Sequence, residues 1–273
     1  MKQLIDMRGG FQTLLREAPY LTSALVIFVT QVSYRSLSRP KLTFYSIATF
    51  SNSMGPAPDQ INITESLVEH INEVKKVYSF IFPYVLCPAS LFIEIIHINR
   101  LRQTITASPL EDEEQHTLQA LDILARIETF VPEDWTQPGK HHGEWLLIGT
   151  IYQSAIALYC TMSLQAVAAL PVTLEMSTRR STHGRRLLET IQSAAQMKQA
   201  IKFSLFPLCV LGVEAGYHKD QSTRSWIEQK LEQHSRMSGT SSPLKVRAVL
   251  RRYWQRNEPG WDECFDRNHK FIL

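Results

Sequence analysis

The chain has 273 residues, 44% of them apolar and 20% charged, which supplies enough hydrophobic material for a packed core and excludes a disordered tail. Its 29 basic residues nearly balance 26 acidic ones, so the formal charge of +3 lacks the concentrated positive charge of a phosphate-tracking surface. The four cysteines (Cys87, Cys160, Cys209, Cys264) form no Cys-x-x-Cys pair and read as buried or semi-buried thiols of a reducing compartment, not as a disulfide framework.

In chain order, Met1 to Arg8 interrupts its apolar residues with Lys2, Asp6 and Arg8, which does not describe a signal peptide. Tyr20 to Leu37 reads as a helix closed by Ser38-Arg39-Pro40, and Ser51 to Ile61, with Gly55, Pro56 and Pro58, as a loop. Asn62-Ile63-Thr64 matches a glycosylation sequon, read as a chance match beside a helix start. From Thr64 as N-cap, Leu67, Val68, Ile71, Val74, Val77, Tyr78 and Ile81 share one face at steps of three and four. Leu91, Phe92, Ile95, Ile96 and Leu101 continue the pattern after Pro88. Within it, Glu94-Ile95-Ile96-His97 has the spacing that turns two metal ligands to one side of a helix. A di-iron bundle needs two such motifs and further carboxylates, so a structural role is expected for His97.

Glu111-Asp112-Glu113-Glu114 cannot all face one cavity, because each helical step turns the chain by about 100°. After Ser108 and Pro109 they fit the negative first turn of a helix. Leu118, Leu121, Ile123, Leu124 and Ile127 predict its inward face, and Pro132 its stop. Glu133 to Gly143 reads as a loop, and His141-His142-Gly143-Glu144 as part of that surface loop, since adjacent histidines face apart and suit zinc poorly. Trp145 to Leu174 carries no charge and is long enough to cross a bilayer. Its Gln153, Ser154, Thr161, Ser163 and Gln165 favour instead a central helix wrapped by others, as does the weaker stretch Tyr78 to Ile98 with Pro83, Pro88, Glu94 and His97.

Arg179-Arg180 and Arg185-Arg186 flank Ser181-Thr182-His183-Gly184. This reads as a basic loop entering a helix at Leu187, with a nuclear import signal or phosphate-binding patch as the alternative. Leu187, Leu188, Ile191, Ala194 and Ala195 define that helix; Trp226, Ile227 and Leu231 define the next. After a serine- and glycine-rich loop at Ser238 to Pro243, Val246, Val249, Leu250, Tyr253 and Trp254 define the last long helix, with Lys245, Arg247, Arg251 and Arg252 on its solvated face. No region alternates with period two, and the loops are too short to separate domains, so residues 1–273 are expected to form one unit. No phosphate-cradling glycine loop, Gly-x-Ser-x-Gly elbow or His-Glu-x-x-His motif occurs. The sequence nominates no catalytic, cofactor-binding or metal residue and leaves any binding residues unknown.

Three segments together resemble one family. Leu4-Ile5-Asp6-Met7-Arg8-Gly9-Gly10-Phe11, followed by Leu14-Leu15, resembles a turn of the fungal-specific transcription factor domain, the C-terminal regulatory half of fungal zinc binuclear cluster regulators. Phe206-Pro207-Leu208-Cys209-Val210-Leu211-Gly212-Val213-Glu214-Ala215 is similar to its "P-L-x-x-x-G-x-E-A" helix, and Trp226-Ile227 follows at similar spacing. Tyr253-Trp254, Trp261-Asp262-Glu263-Cys264-Phe265 and Phe271-Ile272-Leu273 match its closing tryptophans and apolar end. Gly9-Gly10 would allow a sharp bend, Gly212 close helix packing, and Trp254 and Trp261 a lock on the last helix.

The resemblance implies an all-α fold, a single large helical array of antiparallel helices. It further implies a regulatory module of a nuclear transcription pathway that controls a metabolic gene set, with secondary metabolism as the candidate, through protein partners or a small-molecule effector. The family's six clustered cysteines do not occur in this sequence, so no direct DNA binding is expected from the chain alone. The Arg-Gly-Gly turn, normally well inside the domain, begins here at residue 8, so the chain is expected to be N-terminally truncated relative to the family. Two rival readings stay open: an all-helical enzyme or small-molecule-binding protein with a cavity between central helices, and a membrane protein.

Overall fold

The computed structural model describes residues 49–50, 53–56, 68, 71–72, 75, 87–108, 112–136, 141–194, 197, 204–256, 258–267 and 269. Among them the chain forms nine helices and no strand, the all-α architecture that the apolar spacing predicts. They are α1 (Ala89–Ala107), α2 (Glu113–Glu128), α3 (Pro132–Trp135), α4 (His142–Ala166), α5 (Leu174–Ala194), α6 (Leu205–His218), α7 (Gln221–Ser238), α8 (Ser242–Trp254) and α9 (Trp261–Cys264). The Gly9-Gly10 bend, the helices expected at 20–37 and 64–81, the loop at 51–61 and the apolar end at 271–273 lie wholly or largely outside the described residues.

Helix α4 is the axis of the array: α1, α2, α3, α5, α6 and α9 all pack on it. It is long and apolar enough to cross a bilayer, yet 83% of its most apolar window is buried inside the protein. Several of its polar side chains bond within the protein, while the buried hydroxyls of Ser154 and Ser163 have no hydrogen-bond partner among the described residues. Gln153 donates from Nε2 to the carbonyls of Ile127 (3.1 Å), Glu128 (3.0 Å) and Phe130 (2.8 Å). One buried amide thus satisfies the orphan acceptors at the end of α2, which stops at Glu128. Pro132 does not end α2 but opens α3 at its first position, where the missing N–H costs nothing.

α5 and α6 run antiparallel, as the contacts of Ser181 with His218 and of Gly184 with Glu214 require. α7 and α8 do the same, stitched by Arg251–Glu228 and Arg247–Glu232. These exposed pairs set register and add little stability. Asp220 caps α7, accepting from the amides of Ser222 (3.0 Å) and Thr223 (3.2 Å), and Gly239 closes that helix at φ 67°. All four cysteines are buried and unbridged, and burial pushes each thiol up.

Three further expectations are corrected. The segment from Arg179 to Arg186 is not a loop: α5 begins at Leu174 and runs through it, and Arg180 and Gly184 occupy its inward face with Met176, Leu187 and Ile191. An extended import signal is therefore not presented there. His142-Gly143-Glu144 forms the first turn of α4, with His141 before it and 3.0 Å from Glu144. In α2, Leu118 and Leu121 are not core residues: they are 61% and 40% exposed, because the helix buries only Ala120, Ile123, Leu124 and Ile127.

Candidate functional site

Helix α6 is buried from Leu205 to Ala215, and its two sides meet different neighbours. Toward α8 the helix has no side chain at Gly212 and Gly216. A Cβ at Gly212 would stand 2.4 Å from Leu250 Cδ1, and one at Gly216 would stand 2.3 Å from Tyr253 Cε1, so both glycines hold α8 at close range. The approach exposes backbone carbonyls to side-chain donors: Trp254 Nε1 donates to Gly212 O (2.9 Å) and the Tyr253 hydroxyl to Val213 O (3.3 Å). At the end of α6, Arg224 donates to the carbonyls of Ala215 (3.1 Å) and Gly216 (3.3 Å), groups that a helix terminus leaves without internal partners.

Toward α5, the same helix presents the buried carboxylate of Glu214. Arg180 Nε sits 2.9 Å from its Oε2, and His218, one turn on, 3.0 Å from its Oε1. Gly184 makes room, since a Cβ there would lie 3.0 Å from Glu214 Cγ. The Arg180 guanidinium stacks 3.8 Å over the Tyr217 ring, and half-exposed His218 reaches Ser181 (3.2 Å). Burial raises the Glu214 carboxyl above the usual range, and the charges and hydrogen bonds of Arg180 and His218 pull it back only in part.

Two further polar hubs join other helices. Glu94 on α1 is held by Arg126 of α2 through Nε (3.0 Å) and Nη2 (2.9 Å), and by His97 at 3.1 Å. Burial works against its charge, but His97 and Arg126 together outweigh it and lower the carboxyl. His97 lies within reach of both Glu94 and Arg126 and so belongs to this hub. Beside it, Glu128 at the end of α2 contacts Arg179 (3.2 Å) and His183 (3.3 Å) of α5. In the third hub, fully buried Arg102 of α1 pairs with Asp262 of α9, whose carboxyl burial raises. Nearby, Asn99 bonds Tyr159 and donates to Ser53 Oγ (3.2 Å), while buried Trp261 donates to Ser53 O (2.9 Å). Trp261 and Trp254 both lock the C-terminal helices, as expected.

Among the described residues no three His, Cys, Asp or Glu side chains converge as a metal site. The Glu111–Glu114 run behaves as a solvated first turn where it is described: Asp112, Glu113 and Glu114 are exposed. Arg180, Glu214 and Arg102 were not singled out by sequence reasoning as linked groups. The available signal was Glu214 itself, the one charge in the apolar run Phe206 to Ala215.

The geometry is a set of helices riveted by internally matched charges, with α6 held on one side by α8 and on the other by α5. The fungal-specific transcription factor domain matches residues 1–273. This chain belongs to that family. Within the fungal-specific transcription factor domain, the glycine and glutamate of the family-like helix are the groups that here receive α8 and α5. Among curated proteins, a phomenoic acid biosynthesis cluster-specific transcriptional regulator of Leptosphaeria maculans is 35% identical over 276 residues, 99% of this chain. The chain spans about half (49%) of that relative's length. No solved structure matches.

Proposed function

We propose that this chain is the regulatory module of a transcription regulator of a biosynthetic gene cluster, working in the nucleus through protein partners or a small-molecule effector, and not reading DNA by itself. The observation that carries this reading is the similarity to a cluster-specific transcriptional regulator across 99% of the chain. The cysteines support the second half of it: four thiols, each buried at a separate place in the sequence, do not offer a clustered tetrahedral ligand set. The buried acids favour a structural use over catalysis, because Glu94 and Glu214 are each held by an arginine and a histidine of the protein itself.

Deletion of the gene tests the reading. Genome-wide transcript measurement should show altered expression of one contiguous set of biosynthetic genes, restored when residues 1–273 are supplied again in their natural context. Unchanged transcripts would overturn it. A fluorescent fusion should concentrate in the nucleus. The purified chain should leave the promoters of that gene set unshifted; a footprint on a defined site would refute the claim about DNA.

A further inference from the structure

The inward direction of α2 is fixed by Ala120, Ile123, Leu124 and Ile127. At 100° per residue, Leu118 points roughly 180° away from their mean direction, and Leu121 lies on the same outward side. The two leucines contribute nothing to the core, yet they sit next to each other at 61% and 40% exposure. Glu114 and Asp122 stand four residues before and after Leu118, so they flank it on one stripe, and both are exposed. Asp112 and Glu113 add further exposed negative charge at the start. The cation of this stretch, Arg126, is engaged by Glu94 and Asp122. A helix dipole accounts for acids in the first turn, and Asp122 shares the single Arg126 cation with Glu94, which leaves that group net negative; neither accounts for leucines left in water.

We infer that the outer face of α2 docks into an apolar groove rimmed by lysine and arginine on a partner protein. Leu118 and Leu121 enter the groove while Glu114 and Asp122 meet its rim, in the manner of an amphipathic helix laid in a groove. The choice of occupant rests on charge. A second copy of this face would set carboxylate against carboxylate, and an anionic membrane or nucleic acid would be repelled for the same reason. This surface deepens the proposed role, since it rests on the module acting through protein partners.

The test uses a strain lacking the gene, complemented with the parent chain, with Leu118→Ser/Leu121→Ser, or with Glu114→Gln/Asp122→Asn. The substituted residues are exposed and the Asp122–Arg126 pair is a surface one that adds little stability, so abundance and melting temperature should stay close to the parent. A photo-crosslinking residue at exposed Gln115 reads contact directly. The parent should restore transcripts and crosslink to one protein, through a peptide that lines an apolar groove with a basic rim. Each double variant should cut crosslink yield about tenfold, the scale of losing an anchor, and fail to restore transcripts. Undiminished crosslinks, crosslinks to a second copy of this chain, or an acidic partner surface would overturn the inference. If the parent itself restores no transcripts, the proposed function falls instead, and the crosslinks still decide the docking face.

Discussion

Replacing Gly212 measures how tightly α6 and α8 are pressed together. Carbon atoms settle about 3.5–4.0 Å apart, whereas a Cβ at this position would lie 2.4 Å from Leu250 Cδ1, 2.8 Å from Cδ2 and 3.2 Å from Cγ. All three branch atoms are too close, so rotating one methyl does not relieve the overlap. α8 cannot simply retreat, because Trp254 is bonded to Gly212 O at 2.9 Å. In Gly212→Ala a gain of about 1 kcal/mol in helix propensity opposes about 1–3 kcal/mol of overpacking, for a net loss of about 1 kcal/mol. Gly212→Leu gains nearly the same propensity but must place four carbons where one already overlaps Leu250, and should lose about 3 kcal/mol or more. Leu250→Ala alone should lose about 2–5 kcal/mol through its cavity. In the double variant Gly212→Ala/Leu250→Ala the new methyl occupies vacated space, so the sum of the single losses should exceed the measured loss by about 0.5–3 kcal/mol. Urea unfolding followed by far-ultraviolet circular dichroism gives all four corners of the cycle. Strict additivity, or a Gly212→Leu chain as stable as the parent, would refute the close-contact reasoning.

Arg180→Met should cost about 3–5 kcal/mol at neutral pH, because Glu214 stays buried with one partner gone. The Glu214 carboxyl is already raised, so its stabilising form is the protonated one; the deficit should shrink as the solution is acidified and grow as pH rises, readable by thermal melts across pH. His234 is buried and its imidazole is lowered to about 4 by burial. Against an unfolded value near 6.5, its contribution is full above about 6.5 and lost as pH falls toward about 4, a total of about 3 kcal/mol. His234→Phe should flatten that stretch of the stability curve, and an unchanged slope would remove the assignment. Asp220→Ala should cost about 1 kcal/mol by uncapping α7. Because the Asp220 carboxyl is lowered to about 2 by hydrogen bonds from Thr223 and Ser222, the deficit should be complete above about pH 5 and fade in acid.

The long elements were legible where apolar residues recur at helical spacing: α1, α4, α6 and α8 stand where Leu91 to Leu101, Trp145 onward, Phe206 to Ala215 and Val246 to Trp254 place them. The front of α5 was not legible, for a definite reason. Its inward positions Met176, Arg180, Gly184, Leu187 and Ile191 follow a helical stripe, but two are filled by a charge and a glycine. Those make sense only against Glu214, which comes 30 residues after Gly184 and cannot be seen by a local pattern. Leu118 failed in the opposite direction: the pattern offered more apolar positions than one face of α2 can bury. The polar hubs are tertiary facts of the same sort. Arg102 and Asp262 are separated by 160 residues, and nothing near either announces the other.

The position of α4 at the centre also sets a hazard during synthesis. Its last residue, Ala166, leaves the ribosome 98 residues before Cys264 at the end of α9, which at 5–20 residues per second is a wait of about 5–20 s. Among the described helices, α1, α2 and α3 precede this 25-residue apolar rod, and the surface that α5, α6 and α9 take is covered in turn as each emerges during that interval. A stop codon between α4 and α5 therefore leaves that surface of α4 without its main later partners. Its product presents an apolar helix to the quality-control system, so truncation is expected to lower the amount of protein and not only its stability.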